Sequence, residues 1–194
     1  MSCRLLAASA CAALLLTGCL VPERFTARTA FQSDGSYQYS YAGTAVHTLA
    51  SRHMARGDKL GPKEAGMHDA AAKPKRNGEI RQAADNGKAR YDLSVEGRRQ
   101  RGQALDLLGV LRVHTGPDEV LTLQAGKLDD EEKASMAALG IKLDGTLSVT
   151  VPISAEVISH NATSTPSFFG LLGTYSWKID SLEQRPEMRI RFKR

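Results

Sequence analysis

Apolar and polar residues alternate with a period of two over much of this chain. Phe25, Ala27, Thr29 and Phe31 alternate with Thr26, Arg28 and Ala30, and Tyr37, Tyr39 and Tyr41 share one face of a return strand. Between them lies Ser33-Asp34-Gly35-Ser36, whose Asp-Gly supplies the positive φ of a tight hairpin. Residues 25–41 therefore read as a β-hairpin, with the tyrosine row as the rim of a core or a binding platform, the core being favoured. Val46, Leu49, Ala50 and His53 then fall at helical spacing, which predicts a helix over 44–55. Gly57 and Gly61-Pro62 end it, Lys63–Ala72 is helix-prone, and Glu79–Asp85 reads as a further short helix.

From Ala89 the period returns to two. Tyr91, Leu93 and Val95 oppose Asp92, Ser94 and Glu96, and Gly97–Gly102 reads as a polar continuation or loop. The Gly116-Pro117-Asp118 turn splits Leu108–Thr115 from Glu119–Ala125 as a second hairpin. Asp129-Asp130-Glu131-Glu132 starts a helix over 129–139, with Asp129 as cap and Glu132 at the reciprocal position. Leu147, Val149 and Val151 form a strand that Pro152 closes or places at a sheet edge. Short strands follow at Glu156–Ser159, at Tyr175-Trp177-Ile179 and at Met188-Ile190-Phe192, with Asn161–Gly173 as a loop. The pattern predicts an α+β class: a mostly antiparallel β-sheet with an N-terminal hairpin, inserted helices in the first half and one helix near 129–139.

The first 19 residues have a different character. Arg4 precedes an apolar stretch from Leu5 to Leu16, which is too short to span a bilayer and has the length of a signal-peptide core. Leu16-Thr17-Gly18-Cys19 closes it. This segment resembles the lipobox of bacterial lipoproteins. The resemblance implies that residues 1–18 are a signal peptide and that Cys19 becomes the acylated N-terminus of a single domain over 19–194. Several acyl chains on one residue anchor stably where one chain alone holds marginally. Leu20 stands where retained inner-membrane lipoproteins often carry Asp, so the implied location is the outer membrane, periplasmic face. No later stretch reads as membrane-spanning.

Cysteine usage fits that compartment. Cys3 and Cys11 lie in the signal and Cys19 takes the lipid, so the mature domain has no disulfide and no thiol for catalysis or metal binding. The chain carries 26 Lys+Arg against 21 Asp+Glu. The excess gathers in residues 51–104 and again at Arg189, Arg191, Lys193 and Arg194. In a periplasm the partner for that charge is anionic lipid or lipopolysaccharide phosphate, not nucleic acid, unless the charge is simply solvated surface.

Two further stretches carry a resemblance. Cys19-Leu20-Val21-Pro22-Glu23-Arg24-Phe25 with the Asp34-Gly35-Ser36-Tyr37 turn resembles the start of uncharacterised proteobacterial lipobox lipoproteins. From Val149 to Ile190, the placement of Pro152, Asn161 and Trp177 is similar in element order to LppM-type lipoprotein domains. The second resemblance implies an envelope role and names no site.

Candidate chemistry is sparse. His47 and His53 are six apart and diverge on one helix, so with His68, Glu64 and Asp69 they make a poor metal set. His114 falls on the polar side of its strand, and His160 has no nucleophile motif beside it. Neither G-x-x-x-x-G-K nor G-x-G-x-x-G occurs, so neither cofactor nor nucleotide is expected. The apolar Phe168-Phe169-Gly170-Leu171-Leu172 run either covers the end of the core or binds lipid. The expected function is a non-enzymatic, lipid-anchored envelope binding or interaction module, touching anionic lipid or another envelope protein. Its candidate residues are Cys19 for lipidation and Phe168, Phe169, Leu171, Arg189, Arg191 and Lys193 for binding. The alternatives are a lipid carrier or chaperone with an apolar pocket, and a hydrolase whose site, built on His160 or a carboxylate pair, is assembled only by folding.

Overall fold

The computed structural model describes residues 20–57, 80–87, 89–166 and 173–193. In chain order these form β1 (Leu20–Phe31), β2 (Tyr37–His47), α1 (Thr48–Arg56), β3 (Ile80–Asp85), β4 (Arg90–Arg99), β5 (Leu105–Leu107), β6 (Leu111–Thr115) and β7 (Val120–Gln124). After β7 come α2 (Asp130–Ala138), β8 (Asp144–Val151), β9 (Ala155–His160), β10 (Gly173–Ile179) and β11 (Glu187–Phe192). A six-stranded sheet runs β10-β8-β1-β2-β4-β3, and a five-stranded sheet runs β5-β6-β7-β11-β9. All the named strand pairs are antiparallel except β1 with β8.

Alternation explains why the sheets face each other. Phe25, Ala27, Thr29 and Phe31 of β1 and the three tyrosines of β2 turn inward, as do Leu147, Val149 and Val151 of β8. Met188, Ile190 and Phe192 face them from the second sheet, and Phe31 meets Phe192 with ring centroids 5.7 Å apart. One apolar cluster thus draws on both sheets. The tyrosine row belongs to it: Tyr37 and Tyr41 are each 1% exposed, which removes the platform reading.

The α+β expectation is wrong. Strands take 54% of the described residues and only two short helices accompany them, so the class is mostly β, in two sheets instead of one. The residues expected to form a short helix over Glu79–Asp85 instead form β3, paired antiparallel with β4 from Ile80↔Val95 to Asp85↔Tyr91. Pairing against an available strand edge outweighs the high intrinsic helix propensity of Gln82-Ala83-Ala84. The helix expected over 44–55 is shorter at its start, because β2 continues to His47 while pairing β1 and β4. The helix-prone run Lys63–Ala72 lies outside the described residues. α2 does sit where its cap placed it: Asp129 accepts from the Glu132 N–H at 2.7 Å, and Glu132 accepts from the Asp129 N–H at 2.9 Å. Pro152 closes β8, which lies inside its sheet.

Candidate functional site

The first described residue, Leu20, is already a strand residue. It pairs with His47, and Val21 with Val46. A bulge between Pro22 and Phe25 then brings Phe25 to the inner face. There the Phe25 ring lies against Gly145, with Gly43 close to its backbone. Arg90 Nε pairs with the Glu23 carboxylate at 3.2 Å, and the Arg24 N–H donates to Thr44 Oγ1 at 3.2 Å. The chain is therefore fixed from its first described residue onward.

At this end the sheets part around a cavity of about 210 Å³. One wall is Leu20-Val21-Pro22 with Ile179 at the end of β10, and another is Leu108-Gly109-Val110 between β5 and β6. Leu128 and Met136 close it from the α2 side, and Leu182 and Pro186 from the loop before β11. Asp106, Arg112, Lys127, Glu132 and Gln184 add polar groups to its lining.

Its walls are tied together. Asp106 accepts from the Gly109 N–H at 2.8 Å with one oxygen and from Arg112 Nε at 2.8 Å with the other. That arrangement holds the turn in which Leu108 and Gly109 both take positive φ, 52° and 71°. The Gly126 N–H donates to the Gly109 carbonyl at 2.7 Å, and the Ala125 N–H to the Pro186 carbonyl at 3.0 Å. Across the loop, Lys133 Nζ donates to Glu183 at 2.7 Å. This contact holds the Glu183 carboxyl below its ordinary value and the Lys133 ammonium above its own.

The residues expected to bind lie elsewhere. β8 runs parallel to β1 and β10 pairs with it antiparallel, so Gly173 sits level with Val151, near the Phe31 end of β1. Eleven residues at ~3.3 Å each place that end roughly 35 Å from Leu20. Phe168, Phe169 and Leu171 lie outside the described residues, within a segment whose flanks, Pro166 and Gly173, touch at that far end. β11 runs the same way, from Pro186 on the cavity to Phe192 against Phe31. Arg189 and Arg191 point outward from β11, facing Asp118 at 3.7 Å and Glu156 at 3.1 Å, while Lys193 is exposed beyond the strand. Two of the three basic side chains thus have carboxylate partners. Cys19 lies outside the described residues, one peptide bond from Leu20.

The histidines separate as well. His47 is buried and caps α1, its Nδ1 accepting from the Ala50 N–H at 3.2 Å. His114 is exposed. His160 is exposed at the end of β9, its ring tilted against Tyr175 with centroids 4.8 Å apart and its Nδ1 accepting from the Ala162 N–H. It does not line the cavity. Among the described residues no three His, Cys, Asp or Glu side chains gather at metal-binding distance. No helix among them is long and apolar enough to cross a membrane.

Sequence reasoning missed the cavity because loops build most of it. The signal it overlooked is the pair of isolated apolar residues Leu128 and Leu182 within polar turns.

No protein-family model matches the chain, and no curated protein does. Solved structures similar to it include an M1 zinc metallopeptidase from Deinococcus radiodurans bound to a Tyr-Ser-Ala substrate, at 8% identity and a TM-score of 0.36. A two-domain M1 zinc metallopeptidase bound to L-tryptophan matches at 11% identity and a TM-score of 0.36. In both, the match covers 90% of this chain and 43% of the metallopeptidase, so the chain spans less than half their length. The folded domain of Mycobacterium tuberculosis LppM, solved by NMR, matches at 12% identity and a TM-score of 0.37, covering 90% of this chain and 92% of that one. The likeness to LppM is weak, and at these TM-scores neither fold nor chemistry passes from any of these proteins to this one.

Proposed function

We propose that this protein is a lipid-anchored lipoprotein of the bacterial envelope, a non-enzymatic binding module held on the periplasmic face of the outer membrane by acylated Cys19. One observation carries the reading: Leu20, the residue after Cys19, is already hydrogen-bonded into a central strand and lines the cavity. An anchor on Cys19 therefore fixes the domain with its cavity end toward the bilayer and no spacer between them. Replacing Cys19→Ser in the full chain tests this. The expected result is that the protein leaves the membrane fraction as soluble or unprocessed precursor; retention after a high-salt wash would overturn the anchor.

The carrier alternative finds less support. A cavity of about 210 Å³ is below the ~300–1,000 Å³ of typical small-molecule pockets. A glycerolipid with two chains does not fit inside it. The hydrolase alternative finds no support at His160, which is on the surface. In the proposed orientation Lys193, exposed Ile153 and the flanks of the Phe168-Phe169-Leu171 segment face away from the bilayer. These residues, with Arg189 and Arg191 on the outer face of β11, then suit another envelope protein better than the membrane that holds the anchor.

A further inference from the structure

The cavity at the β1 start has two kinds of wall. Leu20 of β1, Ile179 of β10 and Met136 of α2 make one part apolar, and all three are buried. Another part is built on the turn before β6 and the stretch after β7. A Cβ on Gly126 there would lie 3.3 Å from Arg112 Cζ and 3.4 Å from its Nη2. The guanidinium thus rests on Gly126, with Lys127 next in the chain. The Gly126 N–H bonds to the Gly109 carbonyl, and the Gly109 N–H bonds to Asp106, so Asp106, Arg112 and Lys127 gather at this wall.

The polar groups differ in what they have left to offer. Asp106 spends both carboxylate oxygens, on the Gly109 N–H and on Arg112 Nε. Glu132 spends one on the Asp129 N–H, and its charge sits in the first turn of α2, where the helix dipole favours it. Gln184 Oε1 accepts from the Asp180 N–H at 2.8 Å. The donors are left over. Among the described residues no carboxylate pairs with Lys127, and neither the terminal nitrogens of Arg112 nor the amide nitrogen of Gln184 has a protein acceptor. A cavity with its acceptors mostly committed and its donors unspent fits a ligand that brings oxygen acceptors. Asp106 offsets Arg112, so Lys127 is the uncompensated cation, which suits a single negative charge better than a doubly charged phosphate. The apolar wall takes the aliphatic remainder of such a ligand. At ~30 Å³ per water-sized group, the cavity of about 210 Å³ holds about seven such groups.

We propose that the cavity binds a compact aliphatic carboxylate. Its carboxylate meets Lys127 and the terminal nitrogens of Arg112, and its hydrocarbon part lies against Leu20, Met136 and Ile179. The proposal rests on the binding-module reading and names what the module takes up; it does not depend on acylation of Cys19.

The test uses the full chain in vesicles of phosphatidylethanolamine and phosphatidylglycerol, dialysed to equilibrium against radiolabelled pentanoate at neutral pH, with protein-free vesicles as the blank. Bound pentanoate should saturate at about one per chain with a Kd below about 1 mM, within the ceiling for a ligand of this size. Pentanamide and pentylamine, which lack the negative charge, should compete at least tenfold more weakly than unlabelled pentanoate. Lys127→Gln, at an exposed position, should raise Kd at least fivefold with unchanged melting. Leu182→Trp, which fills the cavity, should do the same or more in a variant that melts as the parent does. No saturable uptake would overturn the proposal, as would equal competition by pentanamide or a Kd indifferent to both substitutions. Conversion of the label into a new product would instead overturn the non-enzymatic reading, so the two failures are distinguishable.

Discussion

Gly145 shows how a single missing side chain shapes this protein. A Cβ there would run into the Phe25 ring, and one at Gly43 would meet the Arg24 carbonyl and Phe25 itself. Both glycines let Phe25 drop to the inner face immediately after the bulge, stacking on Tyr41 at 5.8 Å. Gly145→Ala should therefore cost about 1–3 kcal/mol as an overpacked core position. Urea denaturation at neutral pH measures it, and an unchanged midpoint would mean that Phe25 moves without penalty. Burial also pushes the Tyr37 hydroxyl up to about 12, with nearby Arg99 opposing the shift, while that hydroxyl donates to the Gln103 carbonyl at 2.7 Å. At this scale the sequence was informative. Period-two spacing placed Phe25, Tyr37, Tyr39, Tyr41 and Met188 inside correctly, because alternation is the direct imprint of a strand with one dry face.

Among the elements, α2 and the loop before β11 both line the cavity, and Lys133–Glu183 joins them. Because the Glu183 carboxyl is held below its ordinary 4.5, its contribution is fully present above that pH and is lost as pH falls through the lowered folded value. Glu183 is exposed and Lys133 only partly buried, so global stability should hardly respond. The local response should be visible: the Leu182 methyl resonances should shift as pH drops below 4.5, and Glu183→Gln should flatten that titration. Identical titrations in both proteins would show that the pair does not hold the loop. Elements were legible where a local signal sufficed, as with the Asp129 cap of α2 or the Asp34-Gly35 turn. They were illegible where pairing decided. Nothing in Gln82-Ala83-Ala84 announces a strand, since β4 supplies the reason for it. Three-residue β5 was missed similarly, its pairing with β6 depending on the Leu108-Gly109 turn.

For the whole molecule, the decisive geometry is that the cavity at the β1 start and the outer end of β11 lie at opposite ends of the sheets. Reversing charge at Arg189, Arg191 and Lys193 in the acylated protein should leave its binding to anionic vesicles unchanged within twofold. A larger loss would place that face on the membrane and contradict the proposed orientation. The opposite placement was invisible in the sequence, because it depends on β1 lying parallel to β8. That same parallel pair dictates an order of assembly. β1 emerges first during synthesis, yet its second neighbour begins at Asp144, so Arg24 must wait for most of the polypeptide before its far edge is covered. Such distant pairing slows folding and leaves a naked strand border in transit. Maturation of Cys19 would thus act on a chain whose central sheet is still unfinished, and closure of the body would come after attachment.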